Sequence, residues 1–150
     1  MLKNFDKNQN YYKLYKRKNI PIVFIHGVGL DHEMWFPQIR SFKNNSILVY
    51  DLLGHGKTPL HKKSVNFEDF SKQLNNLLNN LNIKKINLVG FSFGSLVALN
   101  FARKYQKKVN KLVLISTVFK RDNLEKYNVR ERYKKAKKNI PLSNLALKRW

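Results

Sequence analysis

Cysteine is absent from the chain, which excludes disulfides and thiolate-bound metals and fits a reducing compartment. Acidic residues are scarce: nine Asp and Glu stand against 30 Lys and Arg, a formal net charge of +21. With six glycines and four prolines in 150 residues, no collagen-like, linker or low-complexity segment is present, and no internal repeat occurs. Long apolar runs are missing too. The longest buried-looking stretch, around Ile20 to Ile25, is far too short to span a bilayer. The opening residues, MLKNFDKNQN, lack the apolar core of a signal peptide. The expectation is a soluble, cytoplasmic protein with no membrane association.

What is present fits one globular domain. Hydrophobic residues make up 43% and aromatics 13%, too much for a disordered chain. The positive charge raises nucleic acid as a partner, because phosphate contacts dominate that affinity. Two clusters qualify, YYKLYKRKN near the start and RERYKKAKKN near the end, but no recognition motif accompanies them. Lysines outnumber arginines 23 to 7 and are spread over most segments, so nucleic-acid binding is not the expectation. An acidic protein partner or acidic substrate, drawn in by long-range steering, fits the charge.

Short apolar runs alternate with helical patterns, predicting an α/β fold with a mainly parallel sheet. Residues 11–17 read as an early, partly exposed strand, and 20–27 (IPIVFIHG) as a buried strand ending at glycine. Asp31 is placed to cap a short helix through Ile39, and 46–54 (SILVYDLLG) is the next strand and loop. From Asn66 to Leu81, Phe67, Phe70, Leu74, Leu77, Leu78 and Leu81 recur at spacings of three and four, one face of a helix. Asn66 and Asp69 form a capping-box pair. A buried strand follows at 85–90, then a helix to about Tyr105, then a strand at 111–117. Residues 119–150 are basic and read as helical or irregular, giving a division into 1–118 and 119–150.

Chemistry concentrates at Gly90-Phe91-Ser92-Phe93-Gly94, a G-x-S-x-G pattern between a strand and a helix. A serine on so sharp a turn leaves no room for side chains two residues away, hence Gly90 and Gly94. Gly94, Ala98 and Ala102 give the helix a small face that can press close to a sheet. Two more strands end in glycine-rich turns, His26-Gly27-Val28-Gly29 and Asp51-Leu52-Leu53-Gly54-His55-Gly56. In a parallel sheet these turns share one edge with Ser92. There the N–H groups of the glycine turn and of Phe93 could hold an oxyanion. Gly56-Lys57-Thr58 is not a phosphate loop, since Asp51 stands where that motif needs its first glycine. His32, His55 and His61 share no ligand spacing, so no metal site is expected, and chemistry that needs only a serine, a base and water implies no cofactor.

These blocks, FIHGVGLDHEMW, VYDLLGHGKT and LVGFSFGSL in that order, resemble the α/β-hydrolase superfamily over about residues 11–117. Within it the first block is similar to pimeloyl-carrier-protein ester esterases and 3-oxoadipate enol-lactonases, and the tail is similar to the start of the lactonases' helical cap. The resemblance implies a mainly parallel three-layer sandwich with Ser92 as nucleophile and Val28 and Phe93 as oxyanion-hole donors. It implies a small-molecule or carrier-bound acyl ester, thioester or lactone as substrate, and speaks against the branches that use aspartate at this position. His26 would shape the oxyanion loop rather than face Ser92. The superfamily's triad runs serine, acid, histidine along the chain. No histidine follows Ser92 here, and Asp122 and Glu125 have no partner base. The expectation is an incomplete fold, with the last strands and most of the cap missing, an exposed strand at 111–117, poor stability and little activity. A non-catalytic module engaging an acidic partner is the alternative.

Overall fold

The computed structural model describes residues 2–118 and 120–137. The chain divides into two units, Met1–Thr117 and Val118–Trp150. In the first, six strands form one sheet: β1 (Leu2–Phe5), β2 (Tyr11–Tyr15), β3 (Ile22–Ile25), β4 (Ile47–Tyr50), β5 (Ile86–Phe91) and β6 (Val109–Ile115). Their order across the sheet is β1-β2-β4-β3-β5-β6. The first two strands are antiparallel to their neighbours, and β4, β3, β5 and β6 run parallel. Three helices accompany them: α1 (Phe36–Ser41), α2 (Phe67–Asn80) and α3 (Phe93–Lys104).

Alternation along the strands builds two cores, one on each face of the sheet. Val23, Ile25, Leu48, Tyr50 and Leu88 meet Phe70, Leu74, Leu77 and Leu78 of α2 and Val97, Ala98 and Phe101 of α3. The intervening Phe24, Ile47 and Val49 pack with Trp35, Met34 and Ile39 on the other face. Helix, sheet and helix make three layers, as the sequence predicts. The capping box at Asn66 and Asp69 is formed, each side chain accepting the other's backbone N–H at 3.1 Å.

Several boundaries differ from the sequence reading. The strand expected over 11–17 stops at Tyr15, and Tyr11, Tyr12 and Leu14 are buried, because β2 lies between β4 and the unforeseen β1. The helix expected after Asp31 is a 3₁₀ turn, His32–Trp35, followed by the separate α1. β6 begins two residues early, at Val109, and pairs only with β5 among the described residues. Val113, Leu114 and Ile115 on it are exposed.

In the second unit the described residues form one helix, α4 (Asn123–Lys137). Asp122 and Glu125 accept each other's backbone N–H at its start, at 2.7 and 3.2 Å. The remainder of the expected cap segment, 138–150, lies outside the described residues. Among the described residues no helix is long and apolar enough to cross a membrane.

Leu77 is fully buried and Leu99, on the outer face of α3, is 48% exposed. Leu77→Ala is therefore expected to cost about 2–5 kcal/mol, and Leu99→Ala no more than about 0.5 kcal/mol. Urea unfolding of the two variants checks the difference.

Candidate active site

The turn between β5 and α3 places Ser92 at φ 51° and ψ −114°, a conformation that side chains other than glycine rarely adopt. Holding it costs on the order of 1–3 kcal/mol, supplied by the surrounding structure. The Ser92 N–H donates to the carbonyl of Ile115 at the end of β6 (2.9 Å). The Ser92 carbonyl accepts from the Ser95 N–H (3.0 Å) and the Ser95 hydroxyl. Gly90 and Gly94 make the turn possible. A Cβ on Gly90 would strike the carbonyl of Gly94, and one on Gly94 would strike the carbonyls of Ile25 and His26. The end of β3 therefore lies directly against the first turn of α3, with Gly27 against the Phe91 ring.

That contact brings the loop after β3 beside the elbow. Both ring nitrogens of the buried His26 are engaged: the Leu52 N–H donates to Nε2 (3.0 Å), so Nδ1 carries the proton and donates to the Gly27 carbonyl (2.8 Å). The Leu30 N–H also points at that carbonyl (3.3 Å). Because a trans peptide sets N–H opposite C=O, these bonds turn the Val28 N–H away from His26. No acceptor is bonded to it among the described residues, and Val28 is 67% exposed. The Phe93 N–H opens α3 and has no intrahelical acceptor. Its position at the helix N-terminus also favours negative charge.

A second cluster fastens the neighbouring loops. The fully buried Asp51, just beyond β4, accepts the His32 N–H (2.8 Å) and the Lys57 N–H (2.8 Å), and lies 2.7 Å from His32 Nδ1. Burial alone would raise its pKa, but these bonds outweigh it and hold the carboxyl below its ordinary range. The Tyr11 ring packs against the His32 ring, tilted by 49° with centroids 4.9 Å apart. Asp31, His32 and Asp51 bring one ligand atom each within 4.8 Å. Asp51 is already committed to backbone N–H groups, and Asp31 Oδ1 accepts the Glu33 N–H (2.7 Å), so this cluster joins the loop after β3 to the loop after β4. Sequence reasoning missed it; the only signal was the Asp31 cap.

The five residues singled out by sequence fall in two places. Gly90, Ser92, Phe93 and Gly94 form the elbow, and Val28 lies on the loop packed beside it. Among the described residues the Ser92 hydroxyl has no hydrogen-bond partner. His26 cannot serve, having no free nitrogen, and His55 Nδ1 is within 3.0 Å of the Leu53 carbonyl.

A family model described as alpha/beta hydrolase fold matches residues 20–144. The chain belongs to the α/β-hydrolase family. Over 131 residues it is 30% identical to (E)-2-((N-methylformamido)methylene)succinate hydrolase of Acinetobacter baylyi, covering 87% of this chain and 50% of that protein. It is 34% identical to 3-oxoadipate enol-lactonase 1 of the same organism over 84 residues, 55% of this chain and 31% of the relative. Among solved structures, a thermophilic esterase from Thermogutta terrifontis superimposes with a TM-score of 0.72 at 28% identity, covering 87% of this chain and 49% of that one. The enol-lactonase from Burkholderia xenovorans gives 0.68 at 27% identity, over 73% and 45%. This α/β-hydrolase chain thus spans about half the length, or less, of these relatives.

Two predictions follow from the packing. Gly94→Ala is expected to destabilise by more than about 2 kcal/mol, since the backbone it strikes cannot move aside cheaply, as thermal or urea unfolding would show. The His26 pKa lies below its ordinary value, chiefly through burial, with His55 adding to the depression and the Gly27 carbonyl, Asp51 and Asp31 opposing it. The unfolded chain gains this proton near pH 6.5 and the folded chain only at lower pH, so stability falls on acidification below about 6.5. Urea titrations are expected to show His26→Ala destabilised most at neutral pH, with the gap to the parent narrowing at pH 5.

Proposed function

We propose that the chain carries the nucleophile and oxyanion-hole portion of a serine hydrolase acting on carboxylic esters, thioesters or lactones. The observation that carries this reading is the backbone of Ser92, held at φ 51° on a strand-to-helix elbow whose flanking glycines admit no side chain. Relatives named hydrolase, enol-lactonase and esterase support the reaction class.

In this reading a base takes the Ser92 hydroxyl proton as Oγ bonds to the carbonyl carbon. The Val28 and Phe93 N–H groups hold the resulting oxyanion. Collapse expels the alcohol, thiol or enol, which leaves with the proton, and an acyl group remains on Oγ. Water then adds with the base's help and releases the acid. No cofactor is called for. In the family's triad order the base is a histidine that follows the serine, and residues 93–150 contain none.

Without that base, residues 1–150 should hydrolyse a p-nitrophenyl ester at most roughly 10³–10⁴-fold faster than water does. Ser92→Ala should remove the excess. Esterase turnover measured on both chains tests this: full enzymatic rates, or an excess that survives Ser92→Ala, would refute the reading.

A further inference from the structure

The parallel strands β3, β4, β5 and β6 all begin at the end of the sheet remote from Ser92. β2, antiparallel to β4, finishes there, with Tyr15 opposite Ile47. The four connections gathered at that end are KRKNIP (16–21), FKNNS (42–46), LNIKK (81–85) and YQKK (105–108). They carry eight cationic residues, Lys16, Arg17, Lys18, Lys43, Lys84, Lys85, Lys107 and Lys108, and no Asp or Glu. None of the eight is in an ion pair among the described residues. Asp31, Glu33 and Asp51 lie at the other end, after β3 and β4. The charge is therefore segregated along the strand direction as well as large in total.

This end also has an apolar component. A shallow groove of about 260 Å³ is lined by the apolar Leu14, Pro21, Leu81 and Ile83, by the polar Asn19, Ser46 and Asn82, and by Lys16 and Arg17. Ile20 and Phe42, in the 16–21 and 42–46 connections, are exposed at 39% and 44%. A bare phosphate chain offers nothing to the four apolar side chains of this groove. The eight residues include only one arginine, the side chain best suited to bidentate phosphate contacts and base stacking. A peptide presenting carboxylates beside an apolar side chain matches both parts.

We propose that this end of the sheet docks an acidic protein segment, its carboxylates on the lysine rim and an apolar anchor in the groove between the 16–21 and 81–85 loops. The surface lies opposite the elbow, so a partner held there leaves Ser92 open. The proposal goes beyond the hydrolase reading and stands without it, since the Ser92→Ala turnover test probes the other end of the strands.

Fluorescence anisotropy with three probes tests it on the full chain: a glutamate-rich peptide with leucine at every fourth position, an all-glutamate peptide of equal charge, and a single-stranded oligonucleotide of equal charge. The leucine-bearing peptide is expected to bind tightest, with affinity falling as salt rises. The double variant Lys84→Glu/Lys85→Glu should weaken it about fivefold or more, while Lys7→Glu/Lys63→Glu, away from this end, should change it less than about twofold. Equal weakening by both pairs would reduce the effect to net charge and overturn the proposal. Tighter binding of the oligonucleotide would make this a nucleic-acid surface instead. Equal binding of the two peptides would remove the groove from it.

Discussion

Close approach of β3 to the first turn of α3, permitted only because Gly94 has no side chain, is the constraint on which the site depends. The carbonyls of Ile25 and His26 occupy the space a Cβ would need, and Gly90 makes the matching contact from the strand side. With the helix seated so deeply, the turn between β5 and α3 has no slack. Ser92 is driven into its unusual backbone conformation and its side chain is presented at the end of the parallel strands. The hydrogen bond from Ser92 to Ile115 and those from Ser95 secure the turn from both sides.

Two buried polar nodes then fix the loops around this contact. His26 bonds its own loop through Gly27 and the loop after β4 through Leu52, spending both ring nitrogens on the backbone. Asp51 does the same for the His32 turn and the Lys57 turn. Each replaces lost hydration with hydrogen bonds in a place where an unpaired group would cost about 1–3 kcal/mol. The histidine and the carboxylate nearest the strand ends thus hold backbone in place. His26 is thereby left no free ring nitrogen for Ser92.

Much of this arrangement was legible in the sequence because it rests on local signals. Period-four apolar residues and the Asn66–Asp69 pair gave α2 to within a residue at each end. The G-x-S-x-G pattern between an apolar run and a small-faced helix marked the elbow. What was not legible depends on distant partners. β1 is four polar and apolar residues without a strand signature, and exists through pairing with β2. The Asp51–His32 bond joins residues 19 apart in two loops, and nothing in either segment announces the other. The basic end of the sheet was likewise invisible, since its lysines are scattered in sequence and meet only once the parallel topology gathers four loops.

We propose that the fold singles out Ser92 among all hydroxyl groups of the chain as the one aimed and flanked for acyl transfer. Peptide-mapped mass spectrometry after exposure to a fluorophosphonate tests it most directly, comparing the folded chain with the same chain in urea. The account predicts an adduct confined to Ser92 and formed faster in the folded chain, slow though it is without a base. Adducts spread over other serines and tyrosines, or equal labelling of the folded and unfolded chains, would contradict it.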